Sequence, residues 1–599
     1  MAAAHGSTHG PGAGYLRAAL EADAHHGSKL AAVVRRVRTR PAGVKISMRK
    51  ATKSHTPHGK DFKRSCHLVD VGPLDSVVSI DPDRLVAVCE GRVTIEQLVD
   101  AAAKHGLVPA VIPEIHDFTV AGLINGLGIE TSSHRYGGFF DTVTAMEVVL
   151  ASGEVRHVDL ASDKDLFDSL FGSYGTLGIV TAATVGLIPG KPLVRTRYLR
   201  FDSLHAYCEA MKAVVGGSHL FIEGFVFSLT DAVLMLGDFV DEVDPSEGEL
   251  WDPTVRGKEW IHQHARTVSS QLKAGAVVRG DSLAGEMAAL GACSAGTDFM
   301  GTKHYFFRSE RSWLWTLEAF VGFKELTDTE WGRKMVEDRA AGDYAKMDAV
   351  FGFAGGSANN PSWSSDDLER VFVQQDTIWH VSNLEKGCRW VAEHIGVWPL
   401  WHCPCRVERR AGPFTSVPAA KLALNSFLEP PAYVVDMGIY GEATAPDFRV
   451  RRDMRKLQAL MDAPTTFGNV YLSPEEFESA FDLTVYRRLR RELGAEDAFP
   501  SIETKVVVYD ASKPELGRIP LWRLEREGLL VPLKRAAAAT AVAAVAGIAL
   551  LVAGSRHDGG VTGVLRDCAD GLRAAAGSVW AAVSGVAAEA PGAESPSSS

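Results

Sequence analysis

Short runs of apolar residues, some alternating with polar ones, dominate the first ninety positions and follow the pattern of β-structure. Residues 44–49 alternate and predict a strand. Further apolar runs follow at 67–72, 77–80 and 85–91, with turn-forming residues at 81–83 between the last two. This part of the chain therefore predicts short strands joined by tight turns.

A helical period replaces the β pattern from Thr94 to His105, where apolar residues recur three or four positions apart. Thr94 and Gln97 stand at the spacing of a capping box, in which each side chain satisfies a backbone N–H of the other residue. Gly106 follows, as at many helix C-termini. The sequence predicts a helix that begins after Thr94 and ends before Gly106.

The same patterns continue along the chain and predict an α+β fold. A hairpin is expected to turn at Ser152 and Gly153, a short helix to span 163–171, and an apolar strand to occupy 179–189. A compact α+β domain is expected to end near Gly190. Further strands are predicted at 195–201, 220–229, 233–240 and 432–442.

Two more helices are predicted in the second half. Residues 303–318 are aromatic and basic, and predict either a packed amphipathic helix or the lining of an apolar pocket with cationic rims. Ser473, Pro474 and Glu476 form a strong helix start, with a cap, a proline at the first position and a glutamate at the third. That helix is expected to direct one set of residues inward (Phe477, Phe481 and Leu489) and another outward (Arg487, Arg488, Arg490 and Arg491).

Length, composition and charge bound the class of protein. The 599 residues suggest about three domains, or two large ones and a tail. Hydrophobic residues make up 46% and charged residues 23%, which is typical of a globular chain with a sizeable core. The formal net charge of −11 argues against a nucleic-acid partner, which would require a basic surface.

The 8 cysteines are scattered and indicate reduced thiols in a cytosol-facing body. Only Cys403 and Cys405 lie close together, and a CxC pair without a second pair is a weak zinc signal, so no metal is predicted. The N-terminal residues 1–13 lack a signal-peptide core and predict a disordered lead.

An uncharged, alanine-rich segment spans residues 536–554 near the C-terminus. As a helix its 19 residues would extend about 28 Å, close to the roughly 30 Å hydrocarbon core of a bilayer. Alanine contributes little to insertion, so a membrane helix and a soluble alanine-rich helix both stay open. A linker at 511–535 precedes the segment and a low-complexity tail at 555–599 follows it.

Residues 113–137 hold three glycines, Gly122, Gly126 and Gly128, among small and hydroxylated residues. Without Cβ atoms the backbone can approach a ligand closely and direct N–H groups at anionic oxygens, a chemistry that suits a pyrophosphate. A glycine-rich connector between packed elements is the alternative.

Several other chemistries are excluded. A Rossmann site needs a third glycine where Thr131 stands, and a clear strand before it. No P-loop, no helical His-x-x-x-His with a neighbouring glutamate and no Gly-x-Ser-x-Gly elbow fits the sequence.

The segments Thr119–Glu130, Ser132–Gly137 and Gly175–Val180 together resemble the flavin domain of the vanillyl-alcohol oxidase/PCMH superfamily. Within it, the chain resembles the Δ24-sterol reductase family, through blocks that occur in the same order. These blocks are 221–233, 303–312, 397–404, 434–442 and 473–500. The resemblance implies a PCMH-type FAD-binding domain at 14–190 and an α+β sterol and catalytic domain at 191–510.

By the same resemblance, two segments are expected to bind a noncovalent FAD. The loop at residues 49–56 lacks the glycines of related oxidases, so a covalent bond to His55 is not expected. The implied FAD-binding residues are Thr119, Val120, Ala121, Gly122, Leu123, Ile124, Asn125, Gly126, Leu127, Gly128, Ile129, Glu130, Thr131, Ser132 and Ser133, with Gly175, Thr176, Gly178 and Ile179.

The resemblance further implies reduction of the sterol side-chain Δ24 double bond, with NADPH as hydride donor, in sterol biosynthesis. An isolated alkene accepts hydride poorly, so a proton donor must assist. Tyr440, Tyr471 and Glu442 are the candidates. Arg308 and Arg311 could meet the NADPH phosphate or form ordinary ion pairs, and His402 and Cys405 have no assigned role.

Two other functions stay open: a sugar-lactone or alcohol oxidase of the same superfamily, and a tethered scaffold without turnover. The absence of a His-Trp-x-Lys signature in the C-terminal half counts against the oxidase. The expected location is the endoplasmic reticulum membrane, with the catalytic body facing the cytosol and the apolar segment in contact with lipid.

Overall fold

The computed structural model describes residues 10–49, 61–253, 259–270, 285–286, 289–309, 372–407, 414 and 432–511. The chain divides into two compact units, residues 1–532 and 533–599, and every described residue lies in the first. Several predictions concern residues outside the described ranges: those on His55, Arg311, the linker, the apolar segment and the tail. Most of the N-terminal lead and most of residues 303–318 also lie outside these ranges.

The N-terminal half is built on a small parallel pair and a larger antiparallel sheet. Its helices are α1 (Ala13–Ala22), α2 (His26–Arg38), α3 (Ile95–Ala103), α4 (Val120–Gly126), α5 (Ser133–Tyr136) and α6 (Lys164–Leu170). Its strands are β1 (Ile46–Arg49), β2 (His67–Asp70), β3 (Val77–Asp81), β4 (Val86–Glu90), β5 (Leu107–Pro109), β6 (Val143–Val149), β7 (Val155–Val158) and β8 (Ile179–Pro189).

Strands β1 and β2 pair in parallel, while β3-β4-β8-β6-β7 form an antiparallel sheet in which β5 also pairs with β8. β8 lies in the middle because its apolar sequence is buried along nearly its whole length. The predicted strands and the hairpin at Ser152 and Gly153 are confirmed. The helix predicted after Thr94 is confirmed as well, with its capping box formed and Gly106 at φ +69°.

The second half contributes one large sheet and the helices on it. Its strands are β9 (Leu193–Phe201), β10 (Phe221–Ser228), β11 (Asp231–Val240), β12 (Glu249–Leu250), β13 (Ser294–Gly301), β14 (Phe372–His380), β15 (Leu400–Val407) and β16 (Ala432–Glu442). The helices are α7 (Leu204–Val214), α8 (Ile261–Ser270), α9 (Thr302–Phe306), α10 (Leu384–His394), α11 (Val450–Leu460), α12 (Pro474–Ala480), α13 (Thr484–Glu492), α14 (Ala495–Ala498) and α15 (Ile502–Val506).

The eight strands run in the order β12-β13-β9-β11-β10-β15-β16-β14, antiparallel except for the β12–β13 pair. Successive side chains alternate between the two faces. On β16, Val435, Met437 and Ile439 join one buried cluster with residues of α7, α10 and α11. Tyr440 joins a second cluster that includes the core of the N-terminal sheet. We call the face of the eight-stranded sheet that carries Tyr440 the inner face.

Two helix predictions need correction. The segment that starts at Ser473 forms two helices, because α12 ends at Ala480 and α13 begins at Thr484. Arg490 does not point to solvent: its side chain is buried and donates hydrogen bonds to backbone carbonyls, including those of Ala495 and Phe499. In the 303–318 region the described helix is the short α9, which ends at Phe306 and is followed by a turn.

Candidate cofactor and active site

The glycine-bearing stretch at 113–137 folds around the short helix α4. The Thr119 side-chain oxygen accepts a hydrogen bond from the Gly122 N–H at 3.2 Å and so caps the helix. Leu127 ends α4 in the left-handed region, at φ +60°, which is uncommon for a residue with a Cβ. The segment before α4 pairs only through an isolated bridge between Thr94 and Thr119, so a Rossmann strand-turn-helix is absent from this described stretch.

One face of α4 is uncovered. Val120, Leu123 and Ile124 are buried in the core, whereas Gly122 is exposed and Asn125 and Gly126 are partly exposed. Among the described residues outside α4, a Cβ built on Gly126 would meet no atom within 4 Å, whereas one on Gly128 would lie 2.7 Å from Leu123 Cδ2. Gly126 thus borders open space, and Gly128 is required by internal packing.

The second glycine-bearing segment is hydrogen-bonded to the first. The Gly175 N–H donates to Asn125 Oδ1 at 2.7 Å, so both predicted segments meet at the end of α4. The hydroxyl of Thr176 donates to the Ser173 carbonyl at 2.7 Å. Two of the predicted cofactor segments, far apart in sequence, therefore share one surface.

The hydroxyl groups after α4 are engaged by the protein itself. Ser132 donates to the Ala110 carbonyl at 2.7 Å, and the Ser133 oxygen accepts the Glu130 N–H at 2.9 Å. The Thr131 carbonyl accepts the Ile222 N–H at 2.9 Å, which attaches this stretch to β10. These contacts fix the stretch to the segment that holds Ala110 and to the edge of β10.

Two basic residues that sequence reasoning did not assign to this site fix the Gly175 loop from the C-terminal side. The Arg490 guanidinium donates to the Thr176 carbonyl, and Lys505 Nζ donates to the Tyr174 carbonyl at 2.5 Å. Burial lowers the pKa of Lys505 to about 7. Arg490 belongs to a run of arginines, a pattern typical of a solvent-exposed helix face. The sequence therefore does not indicate that its side chain contacts the Gly175 loop.

A buried ion-pair network joins the 113–137 stretch to the inner face. Arg308 donates to Glu223 Oε1 through Nε at 2.9 Å and through Nη2 at 2.5 Å, and Nη2 also reaches Glu130 Oε1 at 3.2 Å. Trp401 Nε1 donates to Glu223 Oε2 at 2.9 Å. For Arg308 the ordinary ion-pair interpretation is confirmed. The sequence contained no signal that Glu223 and Trp401 would join it.

Glu130 keeps one oxygen without a hydrogen-bond partner. Its Oε2 is buried, and burial raises the pKa of the Glu130 carboxyl well above its usual range. Glu130 and Arg308 also line a small cavity, together with residues of β5 and with Phe221 and Phe306. A neutral Glu130 can donate a hydrogen bond into this space.

A second polar group lies on strands β14 and β16 of the same inner face. The Tyr440 hydroxyl donates to Asp376 Oδ1, and both side chains are buried. Burial, reinforced by the nearby Glu114 carboxylate, raises the pKa of Asp376 to about 7. Burial likewise raises the pKa of Asp436, with Asp376 and Glu114 adding to the effect. The cluster can therefore hold protons near neutral pH.

The three predicted proton donors do not converge. Tyr440 lies on the inner face beside Asp376, and Glu442 follows it on the same strand at intermediate burial. Tyr471 packs in the cluster on the opposite face, and its N–H donates to Gln458 Oε1 at 2.8 Å. Only Tyr440 of these three joins the buried carboxyls.

His402 lies on the outer face of the sheet, away from that cluster. Its Nδ1 is 2.8 Å from the Tyr207 hydroxyl and its Nε2 is 3.5 Å from Cys388 Sγ. Burial lowers the pKa of His402 to about 3, so the ring is neutral. Cys405 is buried, forms no disulfide with another described cysteine, and donates its thiol to the Arg406 carbonyl at 3.5 Å. No cluster of three or more candidate metal ligands occurs among the described residues.

Within the described ranges, no helix combines the length and hydrophobicity needed to cross a membrane. The apolar segment at 536–554 lies outside those ranges.

Residues 21–159 match the model of a family described as FAD binding domain. The chain is therefore a flavoprotein with an FAD-binding domain, and the residues present fit that cofactor: the α4 face with Gly126 is open, and the Gly175 segment lies beside it.

The chain is also a relative of the Δ24-sterol reductases, as its sequence blocks predicted. It is 28% identical to the Δ24-sterol reductase of Macaca fascicularis over 465 residues, 74% of this chain and 78% of that protein. It is 27% identical to the Δ24-sterol reductase of Pisum sativum over 478 residues, 74% of this chain and 77% of that protein. A decaprenylphosphoryl-β-D-ribose oxidase of Mycolicibacterium smegmatis is 36% identical over 124 residues, 20% of this chain and 27% of that protein.

Proposed function

We propose that this protein reduces the Δ24 side-chain double bond of a sterol, with a noncovalently bound FAD and NADPH as the source of hydride. The observation that carries the proposal is the extent of the similarity. The likeness to Δ24-sterol reductases covers 74% of the chain, well beyond the FAD-binding residues 21–159, whereas the likeness to the ribose oxidase covers 20%. Similarity that extends past the cofactor domain favours the reductase over a sugar-type oxidase.

The uncovered face of α4 and the adjoining Gly175 loop are the surfaces proposed to hold the cofactor. Gly126 leaves room for the cofactor to approach the backbone closely. Asn125 holds the two segments together through its hydrogen bond with the Gly175 N–H. When bound, the cofactor would supply hydride to the alkene. The chain itself would supply the proton that an unactivated alkene requires.

Tyr440 is the donor that the geometry supports best, because its hydroxyl lies within the buried polar cluster of the inner face. Arg308, Glu223 and Glu130 would close the neighbouring part of the site through a buried network that connects both halves of the unit. Glu442 and Tyr471 stay as candidate donors, at positions less suited to the inner face.

The proposed location is the endoplasmic reticulum membrane, with the catalytic body on the cytosolic side and the segment at 536–554 in contact with lipid. No disulfide joins any two of the seven cysteines among the described residues, which accords with a reducing compartment.

The decisive experiment uses the full chain purified in mild detergent. Its flavin absorbance is recorded, NADPH is added without oxygen, and a Δ24 sterol such as desmosterol follows. Bleaching by NADPH and recovery of the spectrum on sterol addition are expected. A colourless protein would eliminate a flavoenzyme, and bleaching by a lactone or alcohol with rapid reoxidation by O₂ would favour the oxidase.

A further inference from the structure

Tyr440 and Asp376 lie on neighbouring strands and meet diagonally across the ladder. In the register of β14 and β16, Tyr440 pairs with Gln374, and Asp376 pairs with Gly438. The Tyr440 side chain therefore extends along its strand toward position 438, where its hydroxyl reaches Asp376 Oδ1. Diagonal neighbours of this kind lie within reach of an aromatic side chain.

Gly438 makes that orientation possible. A Cβ built on Gly438 would lie 2.6 Å from Tyr440 Cε2 and 2.8 Å from its hydroxyl oxygen. The tyrosine ring thus lies over the bare backbone of Gly438, and any side chain there would displace it. The glycine fixes the hydroxyl on the Asp376 carboxyl.

The charges around the pair come from several elements. Asp436 belongs to the same strand as Tyr440, and Glu114 approaches from the 113–137 stretch. Tyr174 of the Gly175 loop interacts with Asp376, and Glu130 interacts with Asp436. Arg308 pairs with Glu130 and Glu223 rather than with Asp376. Carboxyls crowded in this way favour retention of protons.

We propose that Asp376 is a positioning residue that holds a proton for Tyr440. The two form a relay: Tyr440 delivers its hydroxyl proton to the alkene carbon opposite the one that receives hydride, and Asp376 replaces that proton. The inference rests on the proposed function. Gly438 belongs to the relay because it keeps the tyrosine ring in place.

The step balances in atoms and electrons. Hydride brings both electrons of the new bond to one alkene carbon, and the alkene π electrons form a C–H bond to the proton of the Tyr440 hydroxyl. In this step Asp376 is protonated and its carboxyl O–H donates to the Tyr440 oxygen, the reverse of the resting hydrogen bond, so the Tyr440 O–H turns toward the alkene. As the Tyr440 O–H bond breaks, the tyrosine oxygen takes the proton of neutral Asp376. Asp376 is left as a carboxylate and recovers a proton from solvent before the next turnover.

The test separates the two half-reactions of the full chain in detergent. The rate of bleaching by NADPH and the rate of reoxidation by desmosterol are measured without oxygen, for wild type and for Tyr440→Phe, Asp376→Asn and Gly438→Ala. We expect bleaching to stay within about 2-fold of wild type, since no proton to the alkene is needed there. Reoxidation should slow about 100-fold or more in Tyr440→Phe and about 10- to 100-fold in the other two.

The pH profile distinguishes a relay from a structural role. Wild-type reoxidation should fall as pH rises through about 7, where Asp376 loses its proton. Asp376→Asn should be slow at every pH and show no such step. Asp462→Asn is the matched control: Asp462 is a buried aspartate that accepts hydrogen bonds from His380 N and Asn383 Nδ2, away from the pair. It should keep the wild-type rate and profile.

Failure of the inference and failure of the proposed function give different results. Wild type that is bleached by NADPH but not reoxidised by the sterol would contradict the proposed function. If the sterol reoxidises wild type, and Asp376→Asn is reoxidised at the same rate with an unchanged pH profile, the relay alone is overturned. If Asp376→Asn does not retain flavin, Gly438→Ala decides, because both partners are then intact: a wild-type rate and profile in that variant would refute the relay.

Discussion

Asn125 Oδ1 accepts the Gly175 N–H at 2.7 Å, and this side-chain hydrogen bond, with the backbone bond from Tyr174 N–H to the Asn125 carbonyl, connects the two segments that border the proposed cofactor surface. Asn125 and Gly175 are 50 positions apart in the chain. Because Asn125 Nδ2 is also engaged, donating to the Ala121 carbonyl at 2.7 Å, the amide is held in a single orientation. The arrangement sets the distance between α4 and the Gly175 loop.

We therefore expect Asn125→Ala to weaken flavin binding about 10-fold, the equivalent of one lost hydrogen bond of about 1.4 kcal/mol. Titration of apo-protein with FAD, followed by flavin fluorescence, measures it. Asn383→Ala is a control, because its amide bonds to Asp462 outside this surface. Equal flavin affinity in Asn125→Ala and wild type would contradict the assignment of this surface.

Gly126→Val should yield a folded protein without flavin. Among the described residues outside its own helix, a Cβ at this position meets no atom within 4 Å, so the expected clash is with a bound ligand. Gly128→Val provides the contrast, because its Cβ would collide with Leu123 and Pro113 and should lower stability instead. Absorbance at the flavin band and thermal unfolding distinguish the two effects. Full flavin occupancy in a folded Gly126→Val protein would show that Gly126 does not border the cofactor.

Arg308→Met should destabilise the unit by about 3–5 kcal/mol, because it leaves the Glu223 carboxylate buried without its cation and Glu130 Oε1 without its hydrogen-bond donor. Denaturant unfolding at pH 7 measures the change. The double variant Arg308→Met, Glu223→Gln should recover part of the loss, since the stranded Glu223 charge is removed. A double variant no more stable than the single one would show that the ion pair is not the source of the loss.

Stability should also depend on pH through His26. The imidazole lies 2.9 Å from both Glu90 and Glu147, and these carboxylates raise the pKa of His26 to about 9 against the cost of burial. Because the pKa of His26 is higher in the folded than in the unfolded state, its protonation stabilises the fold. That contribution is fully present below the unfolded-state pKa of about 6.5 and disappears as pH rises through about 9. Wild type should therefore lose stability relative to His26→Gln between these pH values, as followed by denaturant unfolding. A constant difference across the range would contradict a charged His26.

Truncation after Asp510 should release the protein from membranes, because it removes the apolar segment at 536–554. Fractionation of cell extracts by sedimentation measures the distribution. A variant shortened only after residue 554 is the control and should stay membrane-bound. Association that persists without residues 511–599 would place the anchor elsewhere in the chain.

The sequence alone was sufficient for local structure. The capping boxes at Thr94 and Ser473 and the turn at Ser152 and Gly153 depend on neighbours within a few positions, so their patterns predict the observed elements. The order of motifs also sufficed for the FAD-binding domain and the relationship to sterol reductases. A run of arginines was misleading at Arg490, since local composition does not show which side chain a later helix will bury.

Only the tertiary structure decided which polar residues meet. Glu130, Glu223 and Arg308 come from three distant segments, and Asp376 reaches Tyr440 across a strand pair 64 residues apart in the chain. Tyr440 and Tyr471 look equivalent as candidate donors in sequence, yet they pack in different clusters on opposite sides of one sheet. The reason is physical. Strand register sets the distance between two side chains and burial sets their pKa values, and register and burial both arise from contacts between segments far apart in the chain.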